Sequence, residues 1–482
     1  MRAVHYFALL LILLLTLILA GCGGSSVKFA PNPNGSFNNS SLKGNYAFSF
    51  TGTNQFGFLT VAGTLQADGN GNFTSGVEDV NSGGGVFTNI PVVGNYNVGA
   101  DGRGTATLAS SVAAISLDFV VISSQRALII RFDNNSSASG TMDLQDVSAF
   151  DAAALQGSFA FNLSGIDANG RDLQQVGTFS TDGAGTITGG VEDANDNGTV
   201  SSNLAVSGSY SVGAAGRGTA VITTSSGSSN FAFYVVDANR LKLVETDNVP
   251  VLGGDAFRQQ GGFSNASLNG GFAFTLGGSR GSNPFVAGGV FTADGNGNII
   301  AGVEDINGGS VTQNLGFSNS PYSIATNGRG TLTLNNSSGT FHFVIYPSTG
   351  GLQMMEVDST VLSSGTAFAQ QGSNFSTGSL TGNFGFNLTG VNSGGEFDEI
   401  AQLATNGSGS WSGAVDLNNN GGLSLGLAAS GGYSLGSNGR GNASISTSAG
   451  RMNFLIYAVS NSRVLFIEAD SSAPAVGSLE HQ

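Results

Sequence analysis

The chain has 482 residues, 40% hydrophobic and only 10% charged, with a formal net charge of −15. Nucleic acid is excluded as a partner, because phosphate binding needs clustered Lys and Arg and the only lysines are Lys28, Lys43 and Lys242. A single cysteine and three histidines exclude internal disulfides and zinc sites of the Cys/His kind.

The chain opens with Arg2 and an apolar run from Ala8 to Ala20 broken only by Thr16. A membrane-spanning helix needs about 20 residues, so this shorter run reads as a secretory signal. It closes Leu19-Ala20-Gly21-Cys22. That ending resembles the lipobox of bacterial lipoproteins, and the resemblance covers residues 1–22 only. It implies cleavage before Cys22, acylation of its thiol and attachment to a membrane through the lipid. Gly23, where Asp would be a retention signal, implies the outer membrane if the cell is Gram-negative. The alternative is an uncleaved anchor with a chance cysteine. Residues 22–37 read as the lipidated cysteine and a flexible tether reaching roughly 20 Å.

Four copies of one repeat follow. Gly-Arg-Gly recurs around Arg103, Arg217, Arg329 and Arg440, at spacings of 114, 112 and 111 residues. A tyrosine stands seven residues before each arginine: Tyr96, Tyr210, Tyr322 and Tyr433. The copies divide as 38–147, 148–260, 261–372 and 373–482, the last divergent. Each is domain-sized, which suggests an array of beads.

Within a copy the hydrophobic period is two. Tyr46, Phe48 and Phe50 alternate with smaller residues, as do Phe159, Phe161 and Leu163, and their later counterparts. Such alternation marks a strand with one buried face, and Gly-rich turns close the hairpins between strands. The expected fold is all-β, with each repeat of about 112 residues an antiparallel up-and-down meander of 7–8 strands closing into a small barrel. A β-sandwich is the alternative.

Chemistry is sparse. His342, between Phe341 and Phe343, has no histidine counterpart in the other copies, so a nucleophile–base arrangement is not expected. Asp68, Asn70 and Asn72, and likewise Asp294, Asn296 and Asn298, begin like a calcium loop with oxygen ligands at alternate positions. Phe73 and Ile299 stand where that loop demands Gly, and a plain hairpin turn fits as well. No other cofactor is expected. Glu78-Asp79 and its copies cannot be a glycosidase pair by themselves, because neighbours on a strand face opposite ways. The Gly-Arg-Gly arginines read as structural, each pairing with its repeat's Glu or packing on the tyrosine before it, and a surface arginine presented for binding is the rival reading. Trp411, the only tryptophan, reads as packing, with a local contact site the alternative.

These features predict an exported, lipid-anchored, non-enzymatic envelope protein that acts as a spacer and a binding or adhesion module for glycan or protein. A carrier of small apolar ligands in lipocalin-like barrels and a polysaccharide-active enzyme are the alternatives.

Overall fold

The computed structural model describes residues 36–482. The export signal, Cys22 and most of the tether lie outside the described residues. Among the described residues no helix is long and apolar enough to cross a membrane.

Each repeat closes into an eight-stranded antiparallel barrel, not a sandwich. The first runs from strand Lys43–Asn54 to strand Ser136–Leu144, which pair with each other. The second runs from Gly157–Ile166 to Val251–Arg258. The third spans Asn269–Arg280 to Leu362–Ala369, and the fourth Thr381–Asn392 to Ala475–His481. In the middle two barrels the fourth strand is broken, at Thr199–Ala205/Ser207–Val212 and Val311–Gly316/Ser320–Ile324.

The aromatic rows fill the barrels. Tyr46, Phe48, Phe50, Phe73, Tyr96 and Phe119 are buried in one core, and the other three barrels hold comparable sets. Small residues make room for them. A Cβ on Gly63 would lie 2.4 Å from the Phe48 ring, so that ring fits only over bare backbone on the next strand. The motif tyrosines lock the turn that opens each repeat. The Tyr96 hydroxyl donates to the Leu42 carbonyl at 2.7 Å, and Tyr322 does the same to Leu268 at 2.7 Å.

The barrels are not separate beads. Four further hydrophobic clusters lie between them. Ala47, Ala62, Tyr234 and Val244 join the first and second barrels. Ala160, Val176, Val344 and Tyr346 join the second and third. Val286, Val290, Tyr457 and Ile467 join the third and fourth. Val120, Ile122, Leu128 and Ile400 join the fourth back to the first. The four barrels therefore form a closed ring. At these seams both faces of a strand are buried. Phe231, Phe233 and Val235 point into the second barrel, while Ala232, Tyr234 and Val236 meet the first. This is the sequence signature of a continuous apolar run rather than an alternating one.

Candidate functional site: the seams and the axial cavity

The repeat motifs meet across the seams. Arg217 donates from Nε and Nη2 to the two carboxylate oxygens of Asp79 in the preceding barrel, both at 2.7 Å. Arg329 grips Asp193, and Arg440 grips Asp305, in the same two-pronged way. Tyr234, Tyr346 and Tyr457 add a hydroxyl to these same carboxylates. A backbone N–H in the fourth strand donates to them too, from Asn89, Asn203 and Asn314, each in the left-handed region. The arginine's partner is thus neither its own repeat's Glu nor the tyrosine seven residues earlier. It is the Asp of the repeat before it.

Two further side chains repeat at every seam. Asn81 donates to the carbonyls of Glu245 and Asp247 at 2.9 and 2.8 Å. Asn195, Asn307 and Asn418 do the same to the following barrel, with Asn418 reaching the first. The glutamine that ends each repeat reaches the next barrel's sixth strand. Gln145 bonds the Val235 carbonyl, Gln259 that of Pro347, Gln370 that of Ala458, and Gln482 that of Val121.

The seam between the fourth and first barrels is the irregular one. Val120 takes the place of the tyrosine, and Arg103 reaches Asp416 from Nη1 at 3.5 Å while holding Asp101 at 3.0 Å. Burial, then the charge of Asp416, pushes Asp118 up to about 8 against the pull of Arg103. Burial raises Asp398 to about 7 and raises Asp416 as well.

Where the four barrels meet, a cavity of about 900 Å³ is lined by residues of all four. Arg126, Arg240 and Arg463 line it from equivalent places, each at the start of the seventh strand just after a tight turn. Gly351 holds that place in the third barrel. Their charges are interlocked across the barrels. Arg126 donates to Asp143 at 2.6 Å and reaches Glu480 of the fourth barrel at 2.8 Å. Arg240 and Lys242, from the second barrel, lie 3.1 and 2.9 Å from Asp143 of the first. Burial works to raise Asp143, but the charges of Lys242, Arg240 and Arg126 outweigh it and hold the carboxyl well below its usual range. Arg463 lies over the Phe368 ring of the third barrel, 4.0 Å from its centre, and its Nε is buried without a hydrogen-bond partner. Ser49, Thr51, Ser139, Asn162 and Ser348 add hydroxyl and amide groups, and Phe257 adds a second ring.

Sequence reasoning missed these arginines, although three of the chain's thirteen fall at one position of the repeat. The calcium candidates lie elsewhere. Asp68 turns its carboxylate onto its own hairpin, accepting N–H groups of Asn70 and Asn72 at 2.7 and 3.0 Å, and Asp294 does the same with Asn296 and Asn298. Trp411 is buried against Tyr433, with ring centres 4.9 Å apart. His342 is exposed and touches Asp358.

No family model matches the chain, and no curated protein matches it. Among solved structures there is weak likeness to the vaccine antigen transferrin binding protein B of Haemophilus parasuis Hp5. A double mutant of that protein is 8% identical, covers 94% of this chain and 98% of its own, and superposes with a TM-score of 0.20. A single mutant gives 9% identity, the same coverages and a TM-score of 0.19. CghA with Sch210972 gives 8% identity, coverages of 95% and 96%, and a TM-score of 0.14. Superpositions this loose establish no shared function.

Proposed function

We propose that this chain is an exported, lipid-anchored, non-enzymatic binding protein of the bacterial envelope, and that its ligand is a short acidic glycan held in the axial cavity. The cavity carries the reading. At about 900 Å³ it falls within the size range of small-ligand sites and is too small for a protein domain. Its lining of hydroxyls and amides, two Phe rings and three arginines suits a sugar bearing a carboxylate or sulfate. Arg463 lines the cavity and, unlike Arg126 and Arg240, makes no ion pair among the described residues, so its guanidinium is the group left to receive that anion. The location rests on the lipobox-type sequence before Cys22.

Calorimetric titration of the full chain in detergent with neutral and uronic-acid oligosaccharides tests this. Binding of the acidic series, weakened at least about tenfold in Arg463→Ala, is the expected result. Equal affinity for neutral and acidic sugars, or release of new reducing ends during the titration, would overturn it.

A further inference from the structure

The four barrels share a second feature that the axial cavity does not use. Inside one mouth of each barrel lie two equivalent positions of the repeat, that of the Glu in the Val-Glu-Asp motif and that of the residue paired with a buried apolar side chain of strand six. In the second barrel both are acids, Glu192 and Glu245. Glu245 is fully buried, and neither of its carboxyl oxygens makes a hydrogen bond of good geometry, with Asp247 and Ser229 the polar side chains beside them. Among the described residues no cation pairs with either acid. Both line a cavity of about 350 Å³, walled by Phe161, Leu163, Ile222 and Phe231.

The first and third barrels show how the same place is neutralised from within. In the first, the residue equivalent to Glu245 is Arg131, which acts by charge on Glu78. In the third, both acids remain, as Glu304 and Glu356, and the charge of Arg280 acts on each. There Asn336 and Ser363 also bond the carboxylates, at 2.8 Å each. In the fourth, Val415 replaces the first acid, and Glu468 accepts the Asn453 N–H at 3.2 Å. The second barrel combines two acids and an open cavity with no internal counter-charge on either acid. A buried carboxyl without partners is costly to keep ionised, and burial, then the charge of Asp247, pushes Glu245 up to about 9.

We propose that the mouth of the second barrel binds a small organic cation, a guanidinium or primary ammonium on a short apolar body, which fills the place that Arg131 and Arg280 fill in the first and third barrels. The apolar body packs on Phe161 and Phe231, and the cationic head meets Glu245 and Glu192. Near neutral pH the Glu245 carboxylic acid gives its proton to solvent as the cation enters, so each binding event releases a proton to the buffer.

The test is calorimetric titration of the full chain in non-ionic detergent with n-butylguanidinium and n-butylamine, with n-butanol as the neutral control. Running it in two buffers of different ionisation heat counts the protons. Saturable binding of both cations with proton release is expected, with no binding of butanol. Glu245→Gln should weaken it at least about tenfold. Glu245→Arg, which copies the first barrel's own solution, should abolish it with the fold kept, and Glu356→Gln in the third barrel should leave it unchanged. No binding at millimolar cation, equal binding of butanol, or full affinity in a folded Glu245→Arg protein would overturn the proposal.

Discussion

Arg440 in the fourth barrel holds both carboxylate oxygens of Asp305, a residue 135 positions earlier in the third, at 2.7 and 2.8 Å. Asp305 is completely buried. Removing one partner of a buried pair leaves an uncompensated charge and costs about 3–5 kcal/mol, whereas replacing both with apolar groups is often neutral. Arg440→Ala should therefore lower stability by that amount in urea unfolding, and Arg440→Leu combined with Asp305→Leu should recover much of it. A loss under about 1 kcal/mol in the single variant, the range of exposed pairs, would mean the clamp does not hold the seam.

The irregular seam adds to a pH dependence that the buried acids Glu192, Glu245, Glu304, Glu356, Glu399 and Glu468, all raised by burial, share. Unfolded carboxyls ionise near about 4, but burial keeps Asp118 and Asp398 protonated in the ring up to about 8 and about 7. Between those limits the unfolded chain holds fewer protons than the native one, so stability falls as pH rises through the window. Asp143 and Glu480, held below their usual range by basic neighbours, act oppositely and lose their contribution only in stronger acid. Urea midpoints should fall from pH about 5 to about 8, and Asp118→Asn should lessen that fall by its own share, since its amide cannot ionise. A wild-type midpoint that rose over the same range would refute the assignment.

An excised third barrel, residues 261–372, should not behave as an independent bead. It would expose Val286 and Val290 on one side and Val344, Tyr346 and Met355 on the other, and leave Asp305 and Arg329 without their partners. Contiguous apolar patches of this kind drive association. Light scattering should show oligomers, and a stable monomer would show that the seams contribute little to solubility.

The seam between the fourth and first barrels has no chain crossing it, yet Gln482 and Asn418 make the contacts that their counterparts make elsewhere. Phe37, just before the first barrel, and Gln482, just after the fourth, reach the same hairpin. The Phe37 N–H points to the Ala100 carbonyl, and Gln482 bonds that of Asp101. A circular permutant that joins Gln482 to Phe37 and opens between Gln260 and Gly261, both exposed, should keep the unfolding midpoint of the unpermuted residues 37–482. A midpoint lowered as far as in Arg440→Ala would show that covalent junctions, not side chains, hold the ring.

The barrel was legible because Tyr46, Phe48 and Phe50 repeat with period two, and that pattern depends only on neighbours along the strand. The ring was not. A motif such as Tyr96 to Arg103 records what recurs within a repeat, but nothing in its spacing says that the arginine's partner lies in the previous copy. Two signals were present nonetheless. Asn81, Asn195, Asn307 and Asn418 persist even where the motif's Glu has become Val415. Phe231 to Val236 is apolar without interruption, as a strand buried on both faces must be. The cavity was hidden for a different reason, since Arg126, Arg240 and Arg463 recur in three copies and Gly351 breaks the series.

Open arrays of repeats grow or shrink one unit at a time and finish in polar capping units. A closed circuit of four has no terminal unit to cap. Each barrel offers an aspartate on one side and an arginine on the other, so a gene that lost or gained one copy would encode a protein with an unmet acid at one end and an unmet base at the other. Those two ends complement each other between molecules as well as within one. Copy number in this architecture is therefore set by the turn angle at the seam, and a change in it produces a new assembly instead of a longer or shorter version of the old one.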